Sequence, residues 1–376
     1  MRAAWGRAVA QARAPWHMCG KQRNRGMAQG HDMATRIGRR KFIGGAALAG
    51  AGIVAAPAVR AQARVALKMS LNAGRDGSNA PLFLAEQKGY FREAGIDITL
   101  DPSRGAVDNF QRVGSDTYDV GYADLTVLIQ FVSREPAQAP LAVATIYTRS
   151  PIAIISLARA NISRPQDLAG RRVGAPVTDA GFALFPAYAS VTGVRQQDIQ
   201  FQNVEFTLRE ALLMRGEVDA ITGFDSTSAF NLRRAGARME DIRFLYFADA
   251  GLNFYSNSII VSKKLLRERE ALVPGLVRAI LRGFKDAIAN PAEATDALMR
   301  VEGLADRAIE LERLQWVVRN QIVTDHARQH GLGYADPAVH ERAIALVSDA
   351  MGLPRRPTVA EMTTDRFLPP RAERAV

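Results

Sequence analysis

The segment APLFLAEQKGYFREAGI, residues 80–96, has the pattern of a helix that is ended by glycines, and it leads directly into a strand. Pro81 suits the first turn of a helix, where its missing N–H would have no intrahelical partner. From Ile96 to Asp101 apolar and polar residues alternate, as expected for a strand with one wetter face. A strand from Val65 to Leu71 precedes the helix, so this stretch predicts a β-α-β unit.

The alternation of short strands and helices continues along the chain and then breaks once. Two consecutive strands, 141–147 and 152–157, interrupt it around Pro151, which indicates that the chain leaves one domain for another. A second series of strands and helices follows, and residues 253–261 predict a strand that returns to the first domain. We therefore predict an α/β chain of two lobes that strands, rather than a flexible tether, connect.

The charge of the chain is concentrated at its N-terminus. Of the 49 basic and 38 acidic residues, eleven basic and one acidic residue precede Gln62, so a formal charge of +11 falls to +1 for the remainder. Binding to nucleic acid depends on basic side chains that neutralise phosphates. The sequence beyond Gln62 therefore predicts no nucleic-acid partner.

The N-terminal residues carry the pattern of an export signal. The run GRRKFIG, residues 38–44, precedes a small apolar stretch, 45–56, that is too short to span a bilayer stably. Ala61 and Ala63 offer peptidase sites after it. We predict a twin-arginine signal at 33–61, cleaved after Ala61 or Ala63, with export to the periplasm through the twin-arginine translocase. The alternative is a buried helix rich in alanine and glycine.

Residues 1–32 show no periodic pattern, and Met27 and Met33 both begin segments that end in the paired arginines. We predict that 1–32 are an extension upstream of the true start. The single cysteine, Cys19, lies in this part. The exported chain would then contain none, which excludes disulfides, thiolate catalysis and cysteine metal sites.

Several segments resemble one family of proteins in the same order along the chain. Residues 80–96 look like the opening helix of the solute-binding proteins for nitrate, sulfonate, taurine and thiamine-pyrimidine precursors. Later landmarks of that family are similar to the segments DVGYAD at 119–124, DLAGRRVG at 167–174, GEVDA at 216–220 and DRFLP at 365–369.

The resemblance implies a two-lobed periplasmic-binding-protein fold of type II. Each lobe would be a mixed, mostly parallel sheet flanked by helices, and two strand crossings would form the hinge on which the lobes close around a small-molecule ligand. We place the first lobe at 62–155 plus 252–376 and the second at 156–251. The resemblance also implies an ABC permease and ATPase in the inner membrane as partners of a monomeric receptor.

Ligands of open α/β sheets bind beyond the carboxyl ends of the strands. Asn79, Asp124 and Asp225 could instead cap helices, and the aromatic residues could belong to the core. If the aromatic residues line the cleft, a planar heterocycle or aromatic acid is favoured over nitrate, because only a flat ligand uses their stacking area. The residues that we predict to bind the ligand are Asn79, Tyr122, Asp124, Thr178, Asp179, Phe182, Phe224, Asp225, Tyr255 and Asn257.

We predict neither a cofactor nor a metal site. His326 and His330 have the spacing of a zinc pair on a helix, but Ala327 stands where the motif requires an acid and no third ligand is evident. An enzyme of pyrimidine-precursor synthesis remains the alternative, because that branch of the family shares the fold. The resemblance implies a cysteine-rich, iron-associated motif for that branch, and no cysteine follows Cys19.

Overall fold

The computed structural model describes residues 63–376, so the predicted extension and export signal lie outside the described residues. Within 63–376 no helix is both long and apolar enough to cross a bilayer. The strands are β1 Val65–Ser70, β2 Ile96–Asp101, β3 Val120–Asp124, β4 Leu141–Thr145, β5 Ile152–Leu157, β6 Arg172–Gly174, β7 Gln200–Gln202, β8 Ala220–Phe224, β9 Ile242–Tyr246 and β10 Asn257–Val261. The α-helices are α1 Ala80–Gln87, α2 Tyr90–Glu93, α3 Ala106–Gly114, α4 Leu125–Arg134, α5 Ala180–Thr192, α6 Arg209–Arg215, α7 Asp225–Arg234, α8 Lys263–Arg269, α9 Val273–Ala289, α10 Pro291–Met299, α11 Arg307–Val317, α12 Asp325–His330, α13 Pro337–Met351 and α14 Val359–Met362.

The strands form two five-stranded sheets with the same architecture. The first has the order β2-β1-β3-β10-β4, and the second has the order β7-β6-β8-β5-β9. In each sheet only the fourth strand in this order, β10 or β5, runs antiparallel to its neighbours. The predicted α/β fold of two mixed, mostly parallel sheets is thereby confirmed. We call the two sheets with their helices the first and second lobes.

The antiparallel strands are also where the chain passes between lobes. It enters the second lobe between β4 and β5 and returns between β9 and β10. The two crossings lie side by side, because the Ser256 N–H donates to the Tyr147 carbonyl at 3.0 Å. The lobe boundaries predicted from the sequence stay a prediction, and the one after residue 155 falls inside β5.

Aspartates at strand ends determine where several helices begin. Asp124 closes β3, and its carboxylate accepts the Thr126 N–H at the start of α4. Asp179 precedes α5 and accepts the N–H groups of Gly181 and Phe182. Such caps satisfy N–H groups that have no partner within the helix. They also bring both carboxylates to the carboxyl ends of the strands, where the lobes face each other.

Helices of the C-terminal third, which belong to the first lobe, also contact the second. The helix α11 packs on α7, and α13 packs on both α4 and α5. Between α11 and α7, Arg313 Nη2 donates to Asn231 Oδ1 at 3.1 Å. The lobes therefore meet along their flanks as well as at the strand ends, and the cleft between them is narrow.

Candidate functional site

A cleft with a free volume of about 20 Å³ lies between the carboxyl ends of the strands of the two lobes. This space holds about one water molecule, well below the roughly 300–1,000 Å³ of small-molecule sites, so a ligand would require the lobes to separate. Its walls come from both lobes. The lining residues are Asn72, Ala73, Gly105, Ala106, Ala123, Asp124, Asp179, Ala180, Phe206, Arg209, Phe224, Thr227 and Asn257.

The first lobe contributes two polar side chains from adjacent strands. Asp124 ends β3 and Asn257 begins β10, and the antiparallel register places these two residues directly opposite each other. The Asp124 carboxylate already accepts hydrogen bonds from Thr126 and from the hydroxyl of Ser256. Burial raises the pKa of Asp124, while the hydrogen bonds from Ser256 and Thr126 act in the opposite direction. The oxygens of the Asp124 carboxylate are thus already hydrogen-bonded within the first lobe.

Asn257 lies beside the buried hydroxyl of Tyr122 and is itself 1% exposed. Burial raises the pKa of the Tyr122 phenol, and a hydrogen bond with the Asn257 side chain acts in the opposite direction. Asn257 therefore lines the cleft and also contacts the polar core of the first lobe.

The second lobe contributes a buried ion cluster. Arg209 is 1% exposed, and its guanidinium donates to Asp179 Oδ1 at 3.1 Å and to Glu210 Oε1 at 2.7 Å. Glu210 also accepts the hydroxyl of Ser228 at 2.8 Å. Two carboxylates therefore flank one guanidinium, which binds them through Nε and Nη1.

Aromatic side chains form part of the second wall. Phe224 ends β8, and the ring of Phe206 lies against the Arg209 guanidinium, with Cζ 4.6 Å from the ring centroid. The opposite wall is close, because the Val107 N–H donates across the cleft to the Thr178 carbonyl at 3.2 Å. A β-carbon on Gly105 would lie 2.6 Å from that same carbonyl oxygen. Glycine at this position lets the lobes approach each other.

A wider cavity of about 400 Å³ adjoins the cleft. The two share Ala73, Phe206 and Thr227 as lining residues. Arg75, Arg234 and Glu302 are among the charged residues that line its outer part. The cleft thus continues into a polar region that could receive a substituent of a bound ring.

Four of the residues predicted to bind the ligand lie together at the cleft, namely Asp124, Asp179, Phe224 and Asn257. Three others lie behind its walls. Tyr122 is buried in the first lobe against Tyr147 and Phe284, and burial raises the pKa of its phenol well above the usual range. Asn79 donates to Asn72 Oδ1 at 2.8 Å without capping α1. Phe182 packs on a neighbouring phenylalanine ring.

The remaining predicted residues have partners outside the lining. Thr178 contributes its carbonyl to the contact with Val107. The Asp225 carboxylate accepts hydrogen bonds from Trp316 Nε1 at 3.0 Å and from the Tyr246 hydroxyl at 3.1 Å. Tyr255 packs on His326, with ring centroids 5.2 Å apart. For all ten residues a role in binding stays a prediction.

Arg209 and Phe206 supply much of the second wall, and neither was among the residues predicted from the sequence to bind the ligand. Both follow β7 in a segment with no strand pattern, and Arg209 meets Asp179 only because α6 folds back on the start of α5. A single arginine thirty residues from its partner gives no local signal. Within residues 63–376, no three His, Cys, Asp or Glu side chains converge as a metal site would require.

The family described as NMT1/THI5 like matches residues 77–294 of this chain. The riboflavin-binding protein RibY of Chloroflexus aurantiacus is 30% identical over 302 residues, which cover 77% of this chain and 82% of that protein. A 4-amino-5-hydroxymethyl-2-methylpyrimidine phosphate synthase of Legionella pneumophila is 22% identical, and the match covers 60% of this chain and 70% of the synthase. Relatives of this chain thus bear the names of binding proteins and of synthases.

The alkanesulfonate-binding protein SsuA from Xanthomonas axonopodis pv. citri, solved with bound MOPS, is similar in structure. The TM-score is 0.61 at 18% identity, over 80% of this chain and 98% of that one. This likeness confirms the periplasmic-binding-protein fold that the sequence resemblance implies.

Proposed function

Because this chain belongs to the NMT1/THI5-like family, we propose that it is the substrate-binding component of an ABC-type importer. Its ligand is a small organic solute: a pyrimidine or other planar heterocycle, an aromatic acid or a sulfonate. The lobes close on this ligand by a hinge motion at the two crossings between β4 and β5 and between β9 and β10. The 30% identity to a protein named for binding riboflavin supports a binding role.

One observation carries the proposal, the cleft that residues of both lobes line at the carboxyl ends of their strands. A site shared between lobes couples binding to closure, because a ligand that contacts both walls stabilises the closed arrangement over the open one. The two adjacent crossings, β4 to β5 and β9 to β10, are the segments about which the lobes would rotate.

The partners and location follow from this role. A permease and an ATPase in the inner membrane take the solute from the closed receptor, which acts as a monomer in the periplasm. Export by the twin-arginine translocase rests on the sequence at 38–44 and on the alanines near residue 61. N-terminal sequencing of the protein isolated from its native host tests this export. An uncut N-terminus on protein found in the cytosol would contradict both the export and the periplasmic location.

The receptor function predicts that a ligand raises the melting temperature of the protein that begins at Gln62. A molecule that binds only the folded state stabilises it by about 2.7 kcal/mol at a concentration one hundred times its Kd. The measurement is a thermal scan against pyrimidine precursors, flavins, sulfonates, aromatic acids and a broad set of other metabolites. An unchanged melting temperature across all of them would count against the receptor.

Replacing Phe224 by alanine is expected to weaken binding of a planar ligand by about 10- to 100-fold without unfolding the protein. Stacking of a flat ring on an aromatic side chain contributes about 1–3 kcal/mol. Calorimetric titration of the ligand found in the thermal scan gives the affinity. Phe131→Ala, at a half-buried phenylalanine of α4 outside the cleft lining, is the matched control. Equal affinities for Phe224→Ala and the control would remove Phe224 from the site.

An enzyme of the pyrimidine-precursor synthesis type is the alternative function, because relatives with a synthase name share the family. The two functions differ in what happens to the bound molecule. A receptor releases its ligand unchanged, whereas a synthase converts it. Mass spectrometry of the ligand after prolonged incubation with the protein distinguishes them, and turnover would favour the enzyme.

A further inference from the structure

We infer that the end of α11 is a latch between the lobes: Trp316 and Gln321 of the first lobe bind Asp225 of the second, and the cleft opens only when these contacts break. Gln321 lies in the turn Val318–Ile322, which directly follows α11. The inference rests on the proposed receptor function and names the contact that regulates access to its cleft. Access requires such a step, because the cleft has room for about one water molecule.

Trp316 inserts an aromatic ring of the first lobe into the apolar core of the second. The ring packs edge-on against Phe230, with centroids 6.1 Å apart, and its centroid lies 6.4 Å from that of Phe244. Phe230 is fully buried and belongs, with Ile155 of β5, to the core cluster of the second lobe. Separation of the lobes on this side withdraws the indole from that cluster and exposes apolar surface to water, which is unfavourable.

Asp225 is the polar centre of the latch. Its carboxylate is buried, and it accepts the Trp316 indole N–H at 3.0 Å and the Gln321 side-chain amide at 3.0 Å. Two further donors, the Tyr246 hydroxyl and the Ser226 N–H, come from the second lobe itself. A hydrogen bond to a charged group is stronger where water is excluded. The two bonds from the first lobe therefore favour the closed arrangement.

The turn that contains Gln321 also contacts the crossings between the lobes. Residues Val318–Ile322 form a single π-helical turn, a feature that is frequent at functional sites. The carbonyl of Gln321 accepts the N–H of Thr148, which lies in the first crossing, at 2.9 Å. Shortly beyond the turn, His326 packs on Tyr255 of the second crossing. The same segment thus contacts the second lobe and both connections about which the lobes would rotate.

The flank at α11 is the side on which the lobes separate at the smaller cost. Beside Trp316 it has polar contacts, namely Arg313 Nη2 with Asn231 Oδ1 at 3.1 Å and the ion pair of Arg233 with Glu312. Such groups exchange their partners for water at small cost. On the other flank α13 packs on α5 and both helices contribute to one apolar cluster, so separation there would expose core. The cavity that adjoins the cleft lies on the α11 flank, because Arg313 is among its lining residues.

The test is alkylation of a cysteine placed in the cleft. The protein that begins at Gln62 has no cysteine of its own, so Ala180→Cys introduces a single thiol. Ala180 lines the cleft and is 2% exposed, so iodoacetamide reaches a thiol there only while the lobes are apart. When closing is fast, the alkylation rate at pH 8 is proportional to the fraction of open molecules. This rate detects even a small open population and needs no ligand.

Gln321→Met keeps the length of the side chain and removes its amide donor. We expect alkylation of Ala180→Cys to become about 10- to 100-fold faster, as for the loss of a hydrogen bond to a charged group. Trp316→Phe retains an aromatic ring but removes the indole N–H, and we expect an increase of about 10-fold or more. Gln329→Met, at an exposed glutamine of α12, is the matched control and should leave the rate unchanged.

A second thiol distinguishes opening from unfolding. Ala220 is fully buried at the start of β8, the end of this strand that lies away from the cleft, so Ala220→Cys reacts only when the second lobe unfolds. Unfolding exposes far more surface than opening and is therefore more sensitive to urea. With the latch intact, we expect Ala180→Cys to react about 100-fold faster than Ala220→Cys or more, at a rate nearly independent of urea up to about 1 M.

Three results would overturn the latch. Alkylation of Ala180→Cys could be no faster with Gln321→Met or Trp316→Phe than with the control, the two thiols could react at equal rates with equal urea dependence, or Ala180→Cys could react as fast as the exposed Asn203→Cys. If the latch fails while the thermal scan finds a ligand, the receptor function stands. If Gln321→Met opens the cleft but no ligand is found, the latch remains a property of the fold and the receptor function fails.

Discussion

Replacing Arg313 by leucine is expected to lower the free energy of unfolding by about 3–5 kcal/mol, the largest single effect that we expect in this protein. Arg313 is buried on α11, where its guanidinium donates to Asp76 Oδ2 at 3.0 Å and contacts Glu310 at 3.0 Å. Glu310 in turn accepts the Gly77 N–H at 2.6 Å. Without the cation, two buried carboxylates lose their counter-charge while their desolvation remains.

Urea unfolding of wild type and variant at pH 7 measures this difference. Arg278→Leu is the matched control, because Arg278 forms an ion pair with Glu373 in which both side chains are about half exposed. Exposed pairs contribute about 0–1 kcal/mol. A loss below 1 kcal/mol for Arg313→Leu would show that the cluster contributes no more than a surface pair.

The second large effect concerns the pH dependence of stability and originates at Asp225. Its carboxylate is buried beneath donors from Trp316, Tyr246 and Gln321. Burial raises the pKa of Asp225 from 3.8 to about 6, and the hydrogen bonds from Trp316, Ser226 and Tyr246 and the charge of Arg149 limit the rise. Arg149 forms an ion pair with Asp249 at 3.5 Å. The folded protein therefore binds the Asp225 proton more tightly than the unfolded chain does.

Protonation of Asp225 consequently stabilises the fold. This contribution is fully present below the unfolded pKa of 3.8 and is lost as the pH rises through about 6. Two pKa units correspond to about 3 kcal/mol. We expect the unfolding free energy of wild type minus that of Asp225→Asn to rise by up to about 3 kcal/mol between pH 7 and pH 4. Using the difference removes the contributions of other carboxylates, which both proteins share.

Urea unfolding at intervals of one pH unit measures that difference, and Asp365→Asn, at an exposed aspartate, provides the baseline. A difference that is flat from pH 7 to pH 4, or that falls as the pH falls, would show that Asp225 does not take up its proton in this range. The outcome also bears on closure, because Trp316 and Gln321 belong to the first lobe and Asp225 to the second.

Local patterns were sufficient for most of the secondary structure. The alternation of Ile96, Ile98 and Leu100 with acidic and hydroxyl residues predicted β2, and the break at Pro151 predicted the passage between lobes. These features depend on neighbours in sequence, since strands bury every second residue and proline removes a backbone donor. The predicted fold is confirmed for that reason.

The candidate site could be predicted only in part. Ligands of open α/β sheets bind beyond the carboxyl ends of the strands, and this rule predicted Asp124, Asp179, Phe224 and Asn257. All four lie at the cleft. The same rule led to Asp225, whose carboxylate is held by Trp316, about ninety residues further along the chain. A strand-end residue is near the cleft by topology, but its side-chain partners decide whether it remains available to a ligand.

By itself the sequence determined the α/β class, the two-lobed arrangement and the strand ends at which a ligand would bind, because periodicity and turn residues act over a few positions. Only the tertiary structure decided which polar groups there contact each other. The register of β3 and β10 places Asn257 opposite Asp124, and the fold of α6 brings Arg209 to Asp179. Hydrogen bonds and ion pairs form between groups that are close in space. Which groups are close depends on contacts between residues far apart in sequence.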